Sequence, residues 1–349
     1  MSRARDIADL AGSADAGGLT GRNLIINGAF QIWQRGTSAT TVSGNDIFSA
    51  DRFKGWANGG GTFTVEQSTD VPNNEFEFSA KLTNTATDGS VAAGDNYRWA
   101  TDLEGYTVSR LAYGHSDAKA VTLSFWVKSS LTGTYCGALY STTASRHYIY
   151  EYTISSANTW EKKTITITSG DTTGSWNKTN GNGLRIYWGF GSGTDYQGTA
   201  GAWTAGEKWE TSSQVAWIGS ASATFYITGV QLEVGETATP FEHRSYGDEL
   251  RRCQRYYYQT TDYIRYMSQG PVGSQAWEWI DLPVTMRAQP TGLVYGNQNE
   301  ADVGKAQQDG GDKETVNLYQ SPFVLGLLCP SSTSGQNLQF WKIKVDAEL

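Results

Sequence analysis

The sequence predicts an all-β protein of about two domains, and three observations lead to this prediction. Apolar and polar residues alternate with a period of two over most of the 349 residues. Clusters of Gly, Asn, Asp and Ser interrupt the alternating stretches, and glycine accounts for 40 residues. Aromatic residues are abundant for so polar a chain, with 13 Trp, 19 Tyr and 12 Phe. Many short strands separated by polar turns are typical of sandwiches and jelly rolls.

Residues 1–22 differ from the rest of the chain and are predicted to form a short helical segment. Ser2 can cap a helix whose apolar face repeats at helical spacing through Ile7, Leu10, Ala11 and Ala14. An isolated helix of this length is marginal in water. The segment is therefore either a frayed terminus or an element that orders against a partner. We favour the second interpretation, an N-terminal attachment segment that uses Arg3, Arg5, Ile7 and Leu10.

The next predicted domain, a jelly-roll sandwich, covers residues 23–245. In the stretch 121–128, Val121, Leu123, Phe125 and Val127 share one face, and Trp126 lies on the other. Alternation of this kind indicates half-buried antiparallel strands. Gly229 interrupts the alternation of the stretch 225–232, so that apolar residues change phase across it. A β-bulge at Gly229 is the predicted cause.

A helical linker is predicted over 246–256, followed by a smaller C-terminal β domain over 257–349. Ser245 to Asp248 has the spacing of a capping box, and Leu250, Cys253 and Tyr257 follow at helical intervals. Strand-like alternation then returns and continues to the C-terminus. The polar stretch 297–315 is predicted to be a long exposed loop.

Composition argues against several classes of function. The net charge of −8 and the absence of a basic stripe disfavour nucleic acid as a partner. No apolar run approaches the roughly 18 residues that span a bilayer, so membrane insertion is not expected. Three scattered cysteines without a CxxC motif and only three histidines predict neither a zinc site nor a cofactor. Acidic residues near the N-terminus interrupt any signal-peptide pattern, so we expect synthesis in the cytoplasm without standard export.

Several blocks of the sequence resemble known families. The opening NLIINGAF (23–30) and the closing FYITGVQLE (225–233) resemble the first and last strands of carbohydrate-binding jelly rolls. A wider resemblance joins RNLIINGAFQIWQRGTS (22–38), ADRFKGW (50–56), ITGVQLEVGETATPFEHRSYGDELRRCQRYY (227–257) and LPVTMRAQPT (282–291). Together these blocks resemble bacteriophage tail-fibre and related virion structural proteins. The resemblance implies a virion location on the tail, tail or adaptor proteins as partners, and a homotrimer.

The chain departs from the carbohydrate-binding pattern at its implied Ca²⁺ site. Gln31 stands where the first acidic residue would be, and Thr228 and Gly229 replace the acidic pair of the last strand. Because Ca²⁺ prefers carboxylate and carbonyl oxygens, we predict no metal.

The function expected from these features is adhesion to host-surface polysaccharide without catalysis. No GxSxG motif or phosphate loop is present, and 35 acidic residues alone do not identify a catalytic pair. Sugars stack their C–H faces on flat aromatic rings. The candidate glycan-binding residues are Trp126, Tyr148, Tyr150, Tyr152 and Tyr187. The competing interpretation places each of these rings in the core or in a subunit interface.

Three alternatives to a host-binding fibre remain open. The first alternative is a purely structural virion component, such as a connector or head decoration. The second is a glycan-degrading tail enzyme, and the third is a secreted carbohydrate-binding module.

The candidate trimer interface is the run Tyr256, Tyr257 and Tyr258, because three consecutive aromatic residues are not expected to face one core.

Overall fold

The computed structural model describes residues 21–260, 264–267, 276–295, 302–308, 313–329, 337–340 and 342–349. The chain forms two compact units, Met1–Tyr246 and Gly247–Leu349. The predicted attachment residues Arg3, Arg5, Ile7 and Leu10 lie outside the described residues. No helix in the described part of the chain is long and apolar enough to cross a membrane.

The first unit contains thirteen strands and one short helix in its described part. The strands are β1 (Thr40–Val42), β2 (Gly44–Phe48), β3 (Phe53–Asn58), β4 (Thr62–Ser68), β5 (Ser79–Ala86), β6 (Asn96–Glu104), β7 (Val121–Ser129), β8 (Gly133–Ser141), β9 (Arg146–Ile154), β10 (Glu161–Ile167), β11 (Asn182–Gly189), β12 (Trp203–Ala205) and β13 (Thr224–Val234). A single helical turn, α1, spans Gly105–Val108, and 3-10 turns cover Ser109–Leu111 and Thr194–Tyr196.

These strands form a jelly-roll sandwich of two antiparallel sheets, so the predicted all-β fold class is confirmed. The six-stranded sheet has the order β1-β4-β5-β13-β7-β10, and the seven-stranded sheet has the order β12-β9-β8-β11-β6-β3-β2. Val121, Leu123, Phe125 and Val127 of β7 are fully buried in the core between the sheets. The period-two prediction for this strand is therefore correct.

The core is unusually aromatic. Phe30 and Phe53 pack on Trp99, with ring centroids 5.5 and 4.9 Å away. Trp99 and Trp188 come from neighbouring strands of the seven-stranded sheet, and neither is exposed. Large rings bury much area per residue, so the core of the first unit accounts for much of the aromatic content.

The predicted bulge is present at Gly229. Thr228 pairs with Trp126, whereas the next registered pair is Gln231 with Ser124, which shows the extra residues in β13. Gly229 has φ +63°, a left-handed conformation that favours glycine. The bulge lets β13 keep apolar residues buried on both sides of it, namely Phe225, Ile227, Val230 and Leu232.

The opening block 23–30 is not a registered strand; it is irregular and ends in a turn in which Phe30 N donates to Asn27 O at 3.0 Å. Leu24 N donates to Leu232 O, and Val230 N donates to Gly28 O, each at 2.9 Å, so the segment lies along β13. Asn27 adopts φ +61°. A Cβ on Gly28 would lie 2.1 Å from the Val230 carbonyl oxygen, so only glycine allows this close approach.

The described part of the second unit contains one helix and three small sheets. The helix α2 spans Tyr246–Gln254. The strands are β14 (Tyr257–Gln259), β15 (Ile264–Met267), β16 (Ala276–Asp281), β17 (Thr291–Tyr295), β18 (Lys305–Gln308), β19 (Lys313–Thr315), β20 (Asn317–Gln320), β21 (Val324–Cys329), β22 (Asn337–Phe340) and β23 (Lys342–Asp346). The sheet orders are β14-β23-β17, β15-β22-β18-β19 and β16-β21-β20.

The stretch 297–315 is not simply a long loop. Its strands β18 and β19 pair antiparallel, with Lys305 opposite Thr315. Ala306 is fully buried in the core of this unit. The stretch is polar throughout, so no alternation of apolar and polar residues predicted its strands. The strands still pair, because pairing depends on backbone hydrogen bonds that a polar sequence can also form.

Candidate functional site

The structure separates the five predicted glycan-binding residues. Tyr150 and Tyr152 are buried in the sandwich core, with 2% and 6% of their surface exposed. The prediction of exposed platforms at these two positions is wrong. On β9 the tyrosine phase points inward and the phase of Ile149 and Glu151 points outward. Alternation defines two faces but does not say which of them faces the core.

Trp126 and Tyr148 are both half-buried and belong to different sheets. Tyr148 packs on Trp203 with ring centroids 5.5 Å apart and contacts the edge of the core. Trp126 lies on the outer face of the six-stranded sheet, opposite Lys162 of β10 and Thr228 of β13. Only Trp126 therefore lies on an accessible sheet face as predicted.

Tyr187 lies on the outer face of the seven-stranded sheet but is fully buried, so its prediction as an exposed ring is also wrong. A second aromatic cluster covers it, in which Trp209 lies 5.4 Å from the Tyr187 ring. The Arg98 guanidinium lies 3.9 Å from the Trp209 ring and 4.8 Å from the Tyr187 ring. Because the segment that carries Trp209 packs over this sheet, this part of its outer face is closed.

A buried ionic network extends across the same face. The Asp102 carboxylate contacts Lys54 Nζ at 2.9 Å and Arg185 Nη2 at 2.9 Å. Burial by itself would raise the pKa of Asp102, but the positive charges of Arg185 and Lys54 outweigh it and hold the pKa well below its usual range. The network ties three strands together and leaves Asp102 almost inaccessible, which is typical of a structural role.

Part of the outer face of the six-stranded sheet carries a line of side chains that we call the outer row. Its members occupy successive strands in one cross-strand line: Glu66, Lys81, Tyr226, Lys128 and, just before β10, Trp160. Trp160, Tyr226, Lys81 and Glu66 are half-buried. The row is therefore an extended surface in which aromatic rings alternate with charges.

Specific contacts fix the geometry of the outer row. Lys128 Nζ lies 4.2 Å from the Tyr226 ring centroid and 5.4 Å from that of Trp160. The two rings are 6.2 Å apart in an edge-to-face arrangement. At the other end, Lys81 Nζ contacts Glu66 Oε1 at 2.7 Å. Cation–π contacts of this kind hold both rings in place.

Asp70 anchors one end of the outer row. Trp160 Nε1 donates to Asp70 Oδ1 at 3.0 Å, and Lys128 Nζ donates to Asp70 Oδ2. Partial burial would raise the pKa of Asp70, but these two donors prevail and lower it. The carboxylate therefore stays ionised at neutral pH and fixes the indole ring and the ammonium group together.

Trp160 and Tyr226 were not among the candidate binding residues predicted from the sequence. A signal was available for Tyr226, because it alternates with the apolar residues Phe225 and Ile227 and so belongs to the opposite face. Trp160 precedes β10 and became a neighbour of Tyr226 only through the pairing of β10 and β13 with β7.

The predicted trimer interface at 256–258 is wrong in two of its three positions. Tyr256 and Tyr257 are buried, at 2% and 5% exposure, and Tyr258 packs against the core of the second unit. The exposed aromatic residues of this unit lie elsewhere. Trp279 is 57% exposed, Tyr319 is 47% exposed and Phe323 is 62% exposed. Trp279 and Tyr319 both pair with Gly326 and so flank it on one sheet.

Within the described residues, no three His, Cys, Asp or Glu side chains come together as a metal site requires. Cys136 and Cys253 are buried. Burial raises the pKa of the Cys136 thiol to about 11, so this thiol is protonated and inert at neutral pH.

No protein-family model matches this chain, and no curated protein sequence matches it. Its fold is similar to several solved structures. One is the enzymatically active domain of tailspike protein 4 of bacteriophage CBA120, with 13% identity and a TM-score of 0.32 over 61% of this chain. That match covers 21% of the tailspike chain, so this chain matches about a fifth of its length.

Two further similar structures carry sugar-related descriptions. One is a protein from Bacteroides thetaiotaomicron with a provisional description as sugar-binding. It is 11% identical to this chain, with a TM-score of 0.35 over 61% of this chain and 100% of its own length. The family 11 carbohydrate-binding module of a Clostridium thermocellum cellulase is 12% identical, with a TM-score of 0.29 over 60% of this chain and 99% of its own.

Proposed function

We propose that this protein is a virion tail fibre or spike component that adheres to host-surface glycans without cleaving them. Residues 1–22 mount it on tail or adaptor proteins, and the outer row of the six-stranded sheet contacts the glycan. The sequence blocks that resemble phage tail fibres support the virion assignment. The observation that carries the binding assignment is the half-exposed pair Trp160 and Tyr226, held in place on the outer face of the six-stranded sheet.

The chemistry of the outer row suits a sugar chain. The C–H face of a pyranose stacks on an aromatic ring, and its hydroxyl groups bond to neighbouring charged and polar groups. Trp160 and Tyr226 supply the rings, while Asp70 and Lys81 supply the polar partners. Because Asp70 and Lys128 already fix the rings, little side-chain entropy is lost on binding. The surface is flat, so we expect weak single contacts that several linked copies strengthen by about 10²–10⁴.

Trp160→Ala is the direct test of this surface. The variant should bind host cells or a matching polysaccharide roughly tenfold more weakly, which corresponds to about 1.4 kcal/mol, with nearly unchanged melting temperature. A glycan array first identifies the ligand. Tyr106→Ala is the matched control, because Tyr106 is 61% exposed on α1, away from the outer row. Equal affinity of the wild type and Trp160→Ala would contradict the assignment of the binding surface.

Two further assays separate the alternatives. Release of reducing sugar from host polysaccharide would favour a glycan-degrading enzyme. If the glycan array is negative while the protein still enters particles, the purely structural role is favoured.

Deletion of residues 1–22 should spare folding of 23–349 and abolish incorporation into particles. Normal incorporation of the truncated protein would exclude the attachment role.

The oligomeric part of the proposal is a homotrimer formed through the exposed aromatic surface of the second unit. Trp279, Tyr319 and Phe323 offer large rings on that surface, and aromatic residues are enriched in subunit interfaces. Light scattering of the full-length protein should give three times the 38.1 kDa chain mass. Trp279→Ser should lower that mass, and a concentration-independent monomer for the wild type would refute the trimer.

A further inference from the structure

Two segments of the first unit meet where the proposed attachment segment joins the sandwich. Residues 21–25, which we call the root segment, lie beside residues 239–244, which we call the return segment. The return segment follows β13 and leads to Tyr246, where the first unit ends. Neither segment is a helix or a strand. Hydrogen bonds from side chains hold the two segments together.

Glu242 and Arg244 of the return segment make the main contacts with the root segment. Glu242 Oε1 accepts from Gly21 N at 2.5 Å, and Glu242 Oε2 accepts from Asn23 N at 2.7 Å. Arg244 Nη1 donates to Ile25 O at 2.9 Å, and Arg244 Nη2 donates to Asn23 O. Hydrogen bonds of charged groups are roughly twice as strong as neutral ones. Two adjacent side chains therefore bind four backbone groups of the root segment.

The surroundings protect these contacts from water. The side chains of Arg244 and Glu242 are only 8% and 10% exposed, and the two charges lie 3.5 Å apart. Burial would raise the pKa of Glu242, but the N–H groups of Asn23 and Gly21 and the positive charge of Arg244 prevail and lower it. Glu242 N also donates to Gln231 Oε1 at 2.8 Å, which fixes the return segment to β13.

The order of the contacts shows that the two segments run in the same direction. Gly21 contacts Glu242, Ile25 contacts Arg244, and Asn23 between them contacts both. The chain therefore enters the overlap at residue 21 and leaves it after residue 244, at the opposite end. A pull on these two ends slides one segment along the other. All the hydrogen bonds are then loaded together, which resists force better than breaking them one after another.

We propose that Glu242 and Arg244 form a mechanical clamp that keeps the sandwich folded when tension acts between the attachment segment and the second unit. The clamp closes the chain into a loop that contains the whole sandwich, so load passes from the root segment to the return segment and bypasses the strands. The inference rests on the proposed attachment role of residues 1–22. It adds to that role the ability to bear force, which a protein that links a particle to a host surface needs.

Single-molecule force spectroscopy of the full-length protein, held by its two ends, tests the clamp. Gly21 and Glu242 are 221 positions apart in sequence, so release of the clamp lengthens the chain by about 70–80 nm at roughly 3.3–3.6 Å for each residue. This length distinguishes the first unit from the shorter 247–349 unit. Glu242→Ala should unfold the first unit roughly tenfold faster or more at a given force, because hydrogen bonds to a charged group are lost.

Two further variants and a second pulling direction complete the design. Glu236→Ala is the matched control, because Glu236 is an exposed glutamate on the same connection after β13 and should leave the rate unchanged. Arg244→Lys keeps the charge but loses the two-pronged guanidinium, so its rate should be intermediate. Holding the protein by Ser156→Cys, at an exposed position before β10, and by the C-terminus leaves the root segment unloaded. In that direction Glu242→Ala should unfold like the protein with Glu242 intact.

The outcomes separate a clamp from a contact that merely stabilises the fold. Faster unfolding of Glu242→Ala in the end-to-end direction alone supports the clamp. Equal rates for Glu242→Ala and wild type in that direction, the same acceleration in both directions, or an equal effect of Glu236→Ala overturns it. The force measurement needs no particle, so a failed clamp is distinguishable from a failed attachment role, which the deletion of residues 1–22 tests by itself.

Discussion

Replacement of the buried carboxyl group of Glu210 should change the pH dependence of stability. Burial raises its pKa from an ordinary value of 4.5 to about 7 in the folded protein. Because the folded state then binds the proton more tightly than the unfolded state, stability declines as pH rises between these two values. At about 1.4 kcal/mol for each pH unit, the ionised carboxyl group costs about 3 kcal/mol above neutral pH.

Glu210→Gln removes this titration and should remove the decline. The amide also places an NH₂ group near the backbone donors of Gly191 and Ser192, which adds a pH-independent cost of about 1–3 kcal/mol. The informative quantity is therefore the difference in unfolding free energy between variant and wild type as a function of pH. Urea unfolding from about pH 4.5 to pH 8 measures it, and other titrating groups cancel because both proteins contain them.

Ser192→Ala is the matched control for this measurement. It keeps the Glu210 carboxyl group but removes the hydroxyl that donates to Oε1, so the pH-dependent decline should persist and shift to higher pH. The reasoning would be refuted if the difference in unfolding free energy between Glu210→Gln and wild type did not change between the ordinary glutamate pKa and about pH 7. A difference that changes only below the ordinary glutamate pKa would also refute it.

Three stability predictions concern the sandwich, and urea unfolding tests each of them. Gly229→Ala should cost about 1–3 kcal/mol, because φ is +63° and the new Cβ would lie 2.7 Å from Phe76; an unchanged midpoint would show that the bulge adapts freely. Asp102→Asn should cost about 3–5 kcal/mol by removing the buried carboxylate charge that Lys54 and Arg185 share, and a neutral result would mean that the network is dispensable. Trp188→Ala should cost about 3–5 kcal/mol through the cavity it leaves in the core, whereas a loss below about 1 kcal/mol would imply that the core collapses around it.

The burial of Tyr150 and Tyr152 shows what the alternation of residue types along a strand does not predict, namely which face packs in the core. Alternation along β9 separated the tyrosines from Ile149 and Glu151 correctly, but both sets contain residues able to pack in a core. The inward set became known only when β9 paired with β8 and the sheet packed on its partner. Tyr187 adds a second limit, because a segment about twenty residues away in the chain covers its outward face.

The candidate site depended even more on tertiary structure. Trp126 was identified from its phase within one strand, since that phase is a local property. The outer row joins residues from five parts of the chain, and the buried Glu210 carboxyl group accepts hydrogen bonds from Gly191 and Ser192, which lie in an earlier segment. No local pattern records such pairings, because they arise from strand order and register.

The sequence by itself determined the all-β class, the bulge at Gly229, and the division of β7 into two faces, because each follows from backbone geometry and the period of apolar residues. Tertiary structure alone decided which aromatic rings are exposed and which carboxyl group is buried. Those outcomes depend on long-range packing, which removes water from some polar and aromatic groups and leaves others at the surface.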